Sequence, residues 1–195
     1  MPRKRYSVAE EKLKELGASV GVHYSDKTFR NIKMLLERYA CLKQDFEHVD
    51  SGDAIKIWRL PSSLFKAMIS ANPISAESAD CFVLSLLYFD RYGEMIEYSL
   101  ERIVSFSNEG RVYCVILTKL YLGDEIVGDR EAEKITGFSH GTYYVKKKYA
   151  IMLFGILMWS RILKHWRNSK TEMKIIESQQ GRDGTLSQNL TEDYN

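Results

Sequence analysis

The amino-acid sequence predicts an all-α protein, and three observations support this fold class. No proline occurs from Ile74 to the end of the 195-residue chain, so nothing in that part prevents long helices. Apolar residues recur at steps of three and four, which is the period of an amphipathic helix. Glycine, serine and aspartate stand at intervals that suit the ends of helices and the turns between them.

The first part of the chain, residues 1–73, is predicted to be an N-terminal helical region. Its clearest helix covers 26–48, where the apolar residues form one stripe and Asp26 can act as the N-cap. Two prolines interrupt the segment that follows, so only one short helix, at 62–70, is expected there.

The second part, residues 74–176, is predicted to be a helical domain. Helices are expected from about 75 to 107, with a bend or break at Gly93, and over 111–122. After this domain the tail 177–195 is polar and almost free of apolar residues, so we expect it to be disordered.

The longest apolar run, Ala150–Trp159, bears on the class of protein. Crossing a bilayer takes about 20 apolar residues, so this run is too short and predicts a buried helix instead. Apolar residues lie on nearly every side of it, so more than one neighbour must cover it. The N-terminus lacks the apolar stretch of a signal peptide. We therefore expect a soluble protein with no membrane partner.

Cysteine and histidine usage argues against metals, cofactors and disulfides. The three cysteines are far apart and set among apolar residues, and the four histidines do not cluster with them. No zinc site or disulfide framework is expected, and a reducing cytoplasm fits best. The chain also shows no glycine-rich phosphate loop and no nucleophile motif, so we expect neither a catalytic site nor a cofactor.

The segment 129–154 has the pattern of a helix-turn-helix. Asp129 can cap a first helix that ends at Thr136, and Ala132 and Ile135 can pack inward. Gly137 permits the left-handed turn that ends this helix. An ordinary helical hairpin uses the same signals, so the pattern alone favours DNA binding only modestly.

The second helix of this segment is predicted to run from Ser139 to about Ser169. Phe138 can fill the corner between the two helices, and the Ser139 side chain can cap the second one. In a helix-turn-helix the first residues of the second helix face base edges. The candidates for such contacts are His140, Thr142, Tyr143 and Tyr144. At least one of the two tyrosines is expected to pack in the core instead.

The charge of this helix favours an anionic partner. From Ser139 to Lys170 there are seven Lys or Arg and no Asp or Glu. A stretch of one sign repels itself unless an anion neutralises it, and the DNA backbone is the natural candidate. Contacts with phosphates are therefore predicted for Lys146, Lys147 and Lys148. The tract 2–5 is either a second phosphate contact or a solvated terminus.

The motifs of this chain resemble a known family. The C-terminal part of the ArpU-type phage transcriptional regulators is resembled by a series of motifs in this order: TKLYL, a loop, DREAEKITGFS, and then GTYY followed by KK and AI. That family is related to the RinA-type late activators and to the promoter-reading C-terminal region of sigma factors. FRNIKMLLERYACLK, at 29–43, resembles the family's N-terminal helix, so the resemblance covers roughly 29–157. The best-matching positions are Ser139, Thr142, Tyr143, Tyr144, Lys147 and Ala150.

The resemblance implies an all-α protein with a C-terminal helix-turn-helix like sigma region 4. It implies a sequence-specific DNA-binding regulator, with activation expected, of phage or prophage late genes. Carried over by position, Ser139 caps the recognition helix, Thr142 and Tyr143 face DNA, and Lys146 and Lys147 hold phosphates. The implied partners are double-stranded promoter DNA and host RNA polymerase. A homo-oligomer is a further option. The implied location is the bacterial cytoplasm, in association with the nucleoid.

Two other functions stay open on the sequence. One is a DNA-recognition subunit of a phage packaging complex, similar to a small terminase, although such subunits usually have their DNA-binding unit near the N-terminus. The other is a helical docking module for RNA polymerase that does not bind DNA. An enzyme is not expected. Tyr143 or Tyr144 beside basic residues could suggest a strand-transfer nucleophile, but the chain is too short for the catalytic domain that such enzymes need.

Overall fold

A computed structural model describes residues 8–45, 79, 80, 83 and 90–161. Apart from Arg161, these residues belong to a compact unit formed by residues 1–160. The described residues contain helices and no strand, which confirms the all-α prediction for this part of the chain. The predicted domain boundaries after residues 73 and 176, the short helix at 62–70 and the tail 177–195 lie outside the described residues.

The described helices are, in chain order, α1 (Val8–Ser19), α2 (Asp26–Asp45), α3 (Asp90–Phe106), α4 (Gly110–Leu117), α5 (Asp129–Thr136) and α6, which is helical over 140–161. A π-helical turn, Thr118–Leu122, continues α4. These bounds agree with the predicted helices at 111–122 and Asp129–Thr136 and with the described part of the predicted helix at 26–48, of which residues 46–48 lie outside the described residues. Gly93 does not break α3, which continues through this exposed glycine.

The start of α2 differs from the prediction. The Ser25 hydroxyl oxygen accepts a hydrogen bond from the backbone N–H of Thr28 at 3.1 Å, and the Ser25 carbonyl accepts the N–H of Phe29 at 3.0 Å. Ser25 is therefore the N-cap, and the prediction of Asp26 as the cap was wrong. Asp26 stands in the first helical turn, where its carboxylate can pair with a more distant side chain.

Helix α6 forms the core, as its apolar run predicted. Every residue from Tyr149 to Trp159 is buried. Helix α2 comes so close at Gly155 that a Cβ there would lie 2.7 Å from Ile32 Cγ1. Further along, the Trp159 indole N–H donates to the Val20 carbonyl at 2.9 Å, next to the end of α1. Several helices thus cover α6, which explains why its apolar residues have no preferred side.

The π turn fixes the start of α5. Its last hydrogen bond runs from the Gly123 N–H to the Thr118 carbonyl at 2.8 Å, and the turn packs against α2, α4 and α5. The following loop returns to it, because the Val127 N–H donates to the Lys119 carbonyl at 2.8 Å. The apolar spacing predicted a helix here but not its wider last turn.

Two features bear on other classes of protein. Among the described helices, none has both the length and the apolar character needed to cross a membrane. Within the same residues, no group of three or more His, Cys, Asp or Glu side chains is placed to hold a metal ion. Cys41 and Cys114 are both free thiols.

The contact at Gly155 yields a stability prediction. Gly155→Ala should lower the free energy of unfolding by about 1–3 kcal/mol, because the added methyl group must displace the whole Ile32 side chain rather than only its tip. In the double variant Ile32→Ala/Gly155→Ala, part of the loss caused by the added methyl group should be relieved, because the Ile32 side chain no longer occupies that space. Urea denaturation of the two single variants and the double variant measures both effects.

Gly93→Ala is the matched control. This glycine is also helical, but nothing lies near the position of its added Cβ. Its replacement should leave the free energy of unfolding unchanged or raise it by up to about 1 kcal/mol. Equal effects of the two glycine substitutions would contradict the packing of α2 against α6.

Candidate nucleic-acid interface

The candidate interface begins at the connection between α5 and α6. Gly137 ends α5 in the left-handed conformation, with φ of 69°, and its N–H donates to the carbonyls of Glu133 and Lys134. A residue without a Cβ adopts this conformation at least cost. Helix α6 resumes at residue 140, so only three residues separate the two helices. The predicted turn at Gly137 is confirmed.

Two predictions for α5 were wrong. The N-cap position is occupied by Gly128, and Asp129 lies inside the first turn instead of capping it. Ala132 is buried as expected, but Ile135 is 49% exposed and does not pack inward. Phe138, expected in the corner between the helices, is half-buried. Asp129 is turned away from its own helix end because its carboxylate binds side chains of α6.

Asp129 is the centre of a polar cluster between α5 and α6. The Tyr143 hydroxyl donates to Asp129 Oδ1 at 2.9 Å. Lys147 Nζ donates to both carboxylate oxygens, at 2.6 and 2.8 Å. Tyr143 and Lys147 are one helical turn apart, so one face of α6 delivers both donors.

Burial of this cluster bears on two of the predicted DNA contacts. Tyr143 is fully buried and Lys147 is only 5% exposed. Burial in this fold argues against contacts of these two side chains with DNA, which stay a prediction. Tyr143 is the tyrosine that packs in the core, whereas its neighbour Tyr144 remains 44% exposed.

The charges in the cluster act on the acidity of Asp129. Burial alone would raise the pKa of this carboxyl group, but the hydrogen bonds from Lys147 and Tyr143 and the positive charge of Lys147 outweigh it. The pKa therefore lies below its usual value. Asp129 is consequently an anion at neutral pH and serves as the counter-charge of a buried lysine.

The other two lysines of the predicted phosphate contact also bind carboxylates of the chain. Lys146 forms an ion pair with Glu109, whose carboxylate also accepts the Tyr113 hydroxyl at 2.8 Å. The hydrogen bond from Lys146 holds the pKa of Glu109 below its usual value, against the opposing effect of burial. Lys148 pairs with Asp26 at 2.6 Å.

The three lysines, which we call the lysine tract (Lys146–Lys148), thus reach three helix starts. Glu109 is at the N-cap of α4, Asp129 in the first turn of α5 and Asp26 in the first turn of α2. Successive residues of a helix point about 100° apart, which lets adjacent lysines reach different neighbours. The anions that pair with the tract in this structure belong to the chain itself, and the predicted contacts of the tract with phosphates stay a prediction.

The remaining predicted contacts are accessible together. Exposed side chains in the first turns of α6, which we call the exposed turn, are Ser139, His140, Thr142 and Tyr144. The Ser139 carbonyl accepts the N–H of Tyr143 at 2.9 Å, which is the bond expected of an N-cap residue, and its hydroxyl donates to Thr142 Oγ1 at 3.0 Å. The rings of His140 and Tyr144 meet edge to face, with centroids 4.7 Å apart.

Sequence reasoning missed two basic residues beside the exposed turn. Arg130 and Lys134 lie on α5 and line a surface cleft of about 370 Å³ together with Glu133, Gly137 and Phe138. A signal for them existed, because basic residues four apart share one helix face. Three acidic residues in the same short helix concealed it.

The Asp129 cluster generates a prediction on stability. Asp129→Asn should lower the free energy of unfolding by about 2–4 kcal/mol, because it leaves Lys147 buried without a counter-charge. The matched control is Asp26→Asn, whose pair with Lys148 is largely exposed and should contribute no more than about 1 kcal/mol. Chemical denaturation measures both variants, and equal losses would contradict the role assigned to Asp129.

The lowered pKa values of Asp129 and Glu109 predict the pH dependence of stability. Ordinary values for these groups in an unfolded chain are about 4, so the stabilisation is complete at higher pH. The stabilisation should be lost as the pH falls through the lower pKa values that the two carboxyl groups have in the folded state. Denaturation series from neutral to acidic pH should show a steeper acid loss in the wild type than in Asp129→Asn. Parallel curves would argue against this linkage.

Comparisons with known proteins found no relative of this chain. Neither a protein-family model, a curated protein nor a solved structure matches the chain. The resemblance to ArpU-type regulators therefore rests on the sequence motifs alone and stays a prediction. What the described residues establish is an all-helical unit in which a tight turn presents the start of a largely buried helix.

Proposed function

We propose that this protein binds duplex DNA through the exposed turn of α6. One observation supports this function above others: polar and aromatic side chains lie exposed at the start of a helix that is buried from Tyr149 to Trp159, directly after a tight left-handed turn. In the helix-turn-helix mode the N-terminal residues of the second helix contact base edges in the major groove. Here those residues are exposed at the start of α6.

The rigidity of the exposed turn favours recognition. Tyr143 lies between Thr142 and Tyr144 in the chain, and its buried hydroxyl is bound to Asp129 on α5. The backbone that presents the exposed turn is therefore fixed before any ligand arrives, which lowers the entropy lost on binding. Hydroxyl and imidazole groups can donate to or accept from base edges and phosphates.

The resemblance of the sequence to ArpU-type regulators supports a role in transcription. We propose that the bound duplex is promoter DNA, that the protein regulates phage or prophage late genes as an activator, and that host RNA polymerase is a further partner. On this proposal the protein acts in the bacterial cytoplasm, at the nucleoid.

A second candidate function has its own observation. The lysine tract is neutralised within the chain, and three apolar or aromatic side chains on α5 and α6 are nearly half exposed: Ile135, Tyr144 and Val145. Such side chains suit a protein partner, so a docking module that does not bind DNA is the alternative. It predicts no affinity for duplex DNA, even at low salt.

Selection from a random-sequence duplex library tests the proposed function. The wild type should enrich one sequence class, and His140→Ala/Thr142→Ala/Tyr144→Ala should lose that enrichment while keeping the helical circular dichroism of the wild type. These side chains are exposed, so their removal leaves the core intact.

The matched control is Glu97→Ala/Arg102→Ala/Ser105→Ala, which changes three exposed residues of α3. It should enrich the same sequences as the wild type. Absence of any enrichment by a folded wild-type chain would reject DNA binding and leave the docking module. Equal enrichment by the wild type and the His140 triple variant would place the DNA contacts elsewhere.

A further inference from the structure

We infer that Arg130 and Lys134 of α5 form a backbone-phosphate site beside the exposed turn. The inference rests on the proposed DNA binding and assigns to these two residues the phosphate contacts that the sequence assigned to the lysine tract. The ligand group is a phosphodiester, and the partner is a DNA duplex.

The two side chains are placed to act together. Arg130 and Lys134 are four residues apart on α5, so they lie on one face of the helix, and both are exposed. They line the cleft of about 370 Å³ that also includes Gly137 and Phe138. Because Gly137 has no side chain, a phosphate can approach the turn closely from this cleft.

Their charges lack the neutralisation that the lysine tract has. Each lysine of the tract pairs with a carboxylate, at helix starts of α4, α5 and α2. In the part of the chain that the structure describes, no carboxylate lies within ion-pair distance of Arg130 or Lys134. Like charges four apart destabilise a helix, and an anion bound between them removes this cost.

The carboxylate that lines the same cleft is already engaged. Glu133 Oε2 lies 3.1 Å from His140 Nδ1, so the Glu133 carboxylate faces the exposed turn. Of the other acidic residues on α5, Asp129 binds Lys147, and the exposed Glu131, three positions before Lys134, does not line the cleft and forms no ion pair with either cation. An anion that enters the cleft thus meets two cations, and the one carboxylate beside them is bound to His140.

The location matches what a DNA-binding surface needs. His140 touches Glu133 on one side and Tyr144 on the other, so the cleft and the exposed turn are continuous. Phosphate contacts fix the register of a protein on the duplex, while base contacts specify the sequence. A phosphate held by α5 would place the neighbouring groove against the exposed turn.

The test compares Arg130→Gln/Lys134→Gln with Lys12→Gln/Arg102→Gln, using a fluorescent duplex of mixed sequence over a series of salt concentrations. Both variants remove two positive charges from exposed positions, but Lys12 and Arg102 lie on α1 and α3. The α5 variant should lower affinity more than about tenfold at low salt and reduce the log–log salt slope by about 2. The control should bind like the wild type, and Arg130→Lys/Lys134→Arg should retain most of the affinity.

The outcomes separate the inference from the proposed function. Binding by the wild type with equal loss in both glutamine variants would overturn the phosphate site and leave DNA binding standing. No binding by the folded wild type at any salt concentration would reject both. Binding of inorganic phosphate that the α5 variant loses, with unchanged duplex affinity of that variant, would show a free-phosphate site and not a duplex site, and would also overturn the inference.

Discussion

The ion pair between the buried Lys147 and the half-buried Asp129 is the interaction on which the rest of the site depends. It joins the long core helix α6 to the short helix α5 and leaves Lys147 only 5% exposed. The Lys147 ammonium also lies 5.9 Å from the ring centroid of Tyr121, in the π turn that precedes α5. The Lys147 side chain therefore links α6 to α5 and to the π turn that precedes α5. A nonpolar side chain of similar size could fill the same space, but it would not fix the carboxylate that also binds Tyr143.

The ion pairs of the lysine tract change how the positive charge on α6 is interpreted. A run of lysines without nearby acidic residues in the sequence indicates a nucleic-acid surface, because phosphates are the usual anions for it. In the folded chain, carboxylates from three other helices reach the run. In this structure the tract therefore pairs with carboxylates elsewhere in the chain, whereas Arg130 and Lys134 of α5 are exposed and form no ion pair with the described residues. The exposed turn stays available because its neighbours are turned inward.

Local features of the structure were predictable from the sequence, while distant pairings were not. The helix Asp129–Thr136, the left-handed Gly137 and the buried run of α6 follow from spacing and from the conformational freedom of glycine. The partners of the lysine tract are 18 to 122 residues away in the chain, so no local pattern shows them. Which of two adjacent tyrosines faces the core was equally hidden, because periodicity allowed either, and Asp129 decides it by binding Tyr143.

The most direct test of this account is a double-mutant cycle on the ion pair. Asp129→Asn, Lys147→Met and the double variant would be compared with the wild type by chemical denaturation at neutral pH. The account predicts a coupling free energy of about 1–3 kcal/mol, with the double variant more stable than the sum of the single losses implies. Losses that add to within about 0.5 kcal/mol would contradict it, because Lys147 would then not depend on Asp129.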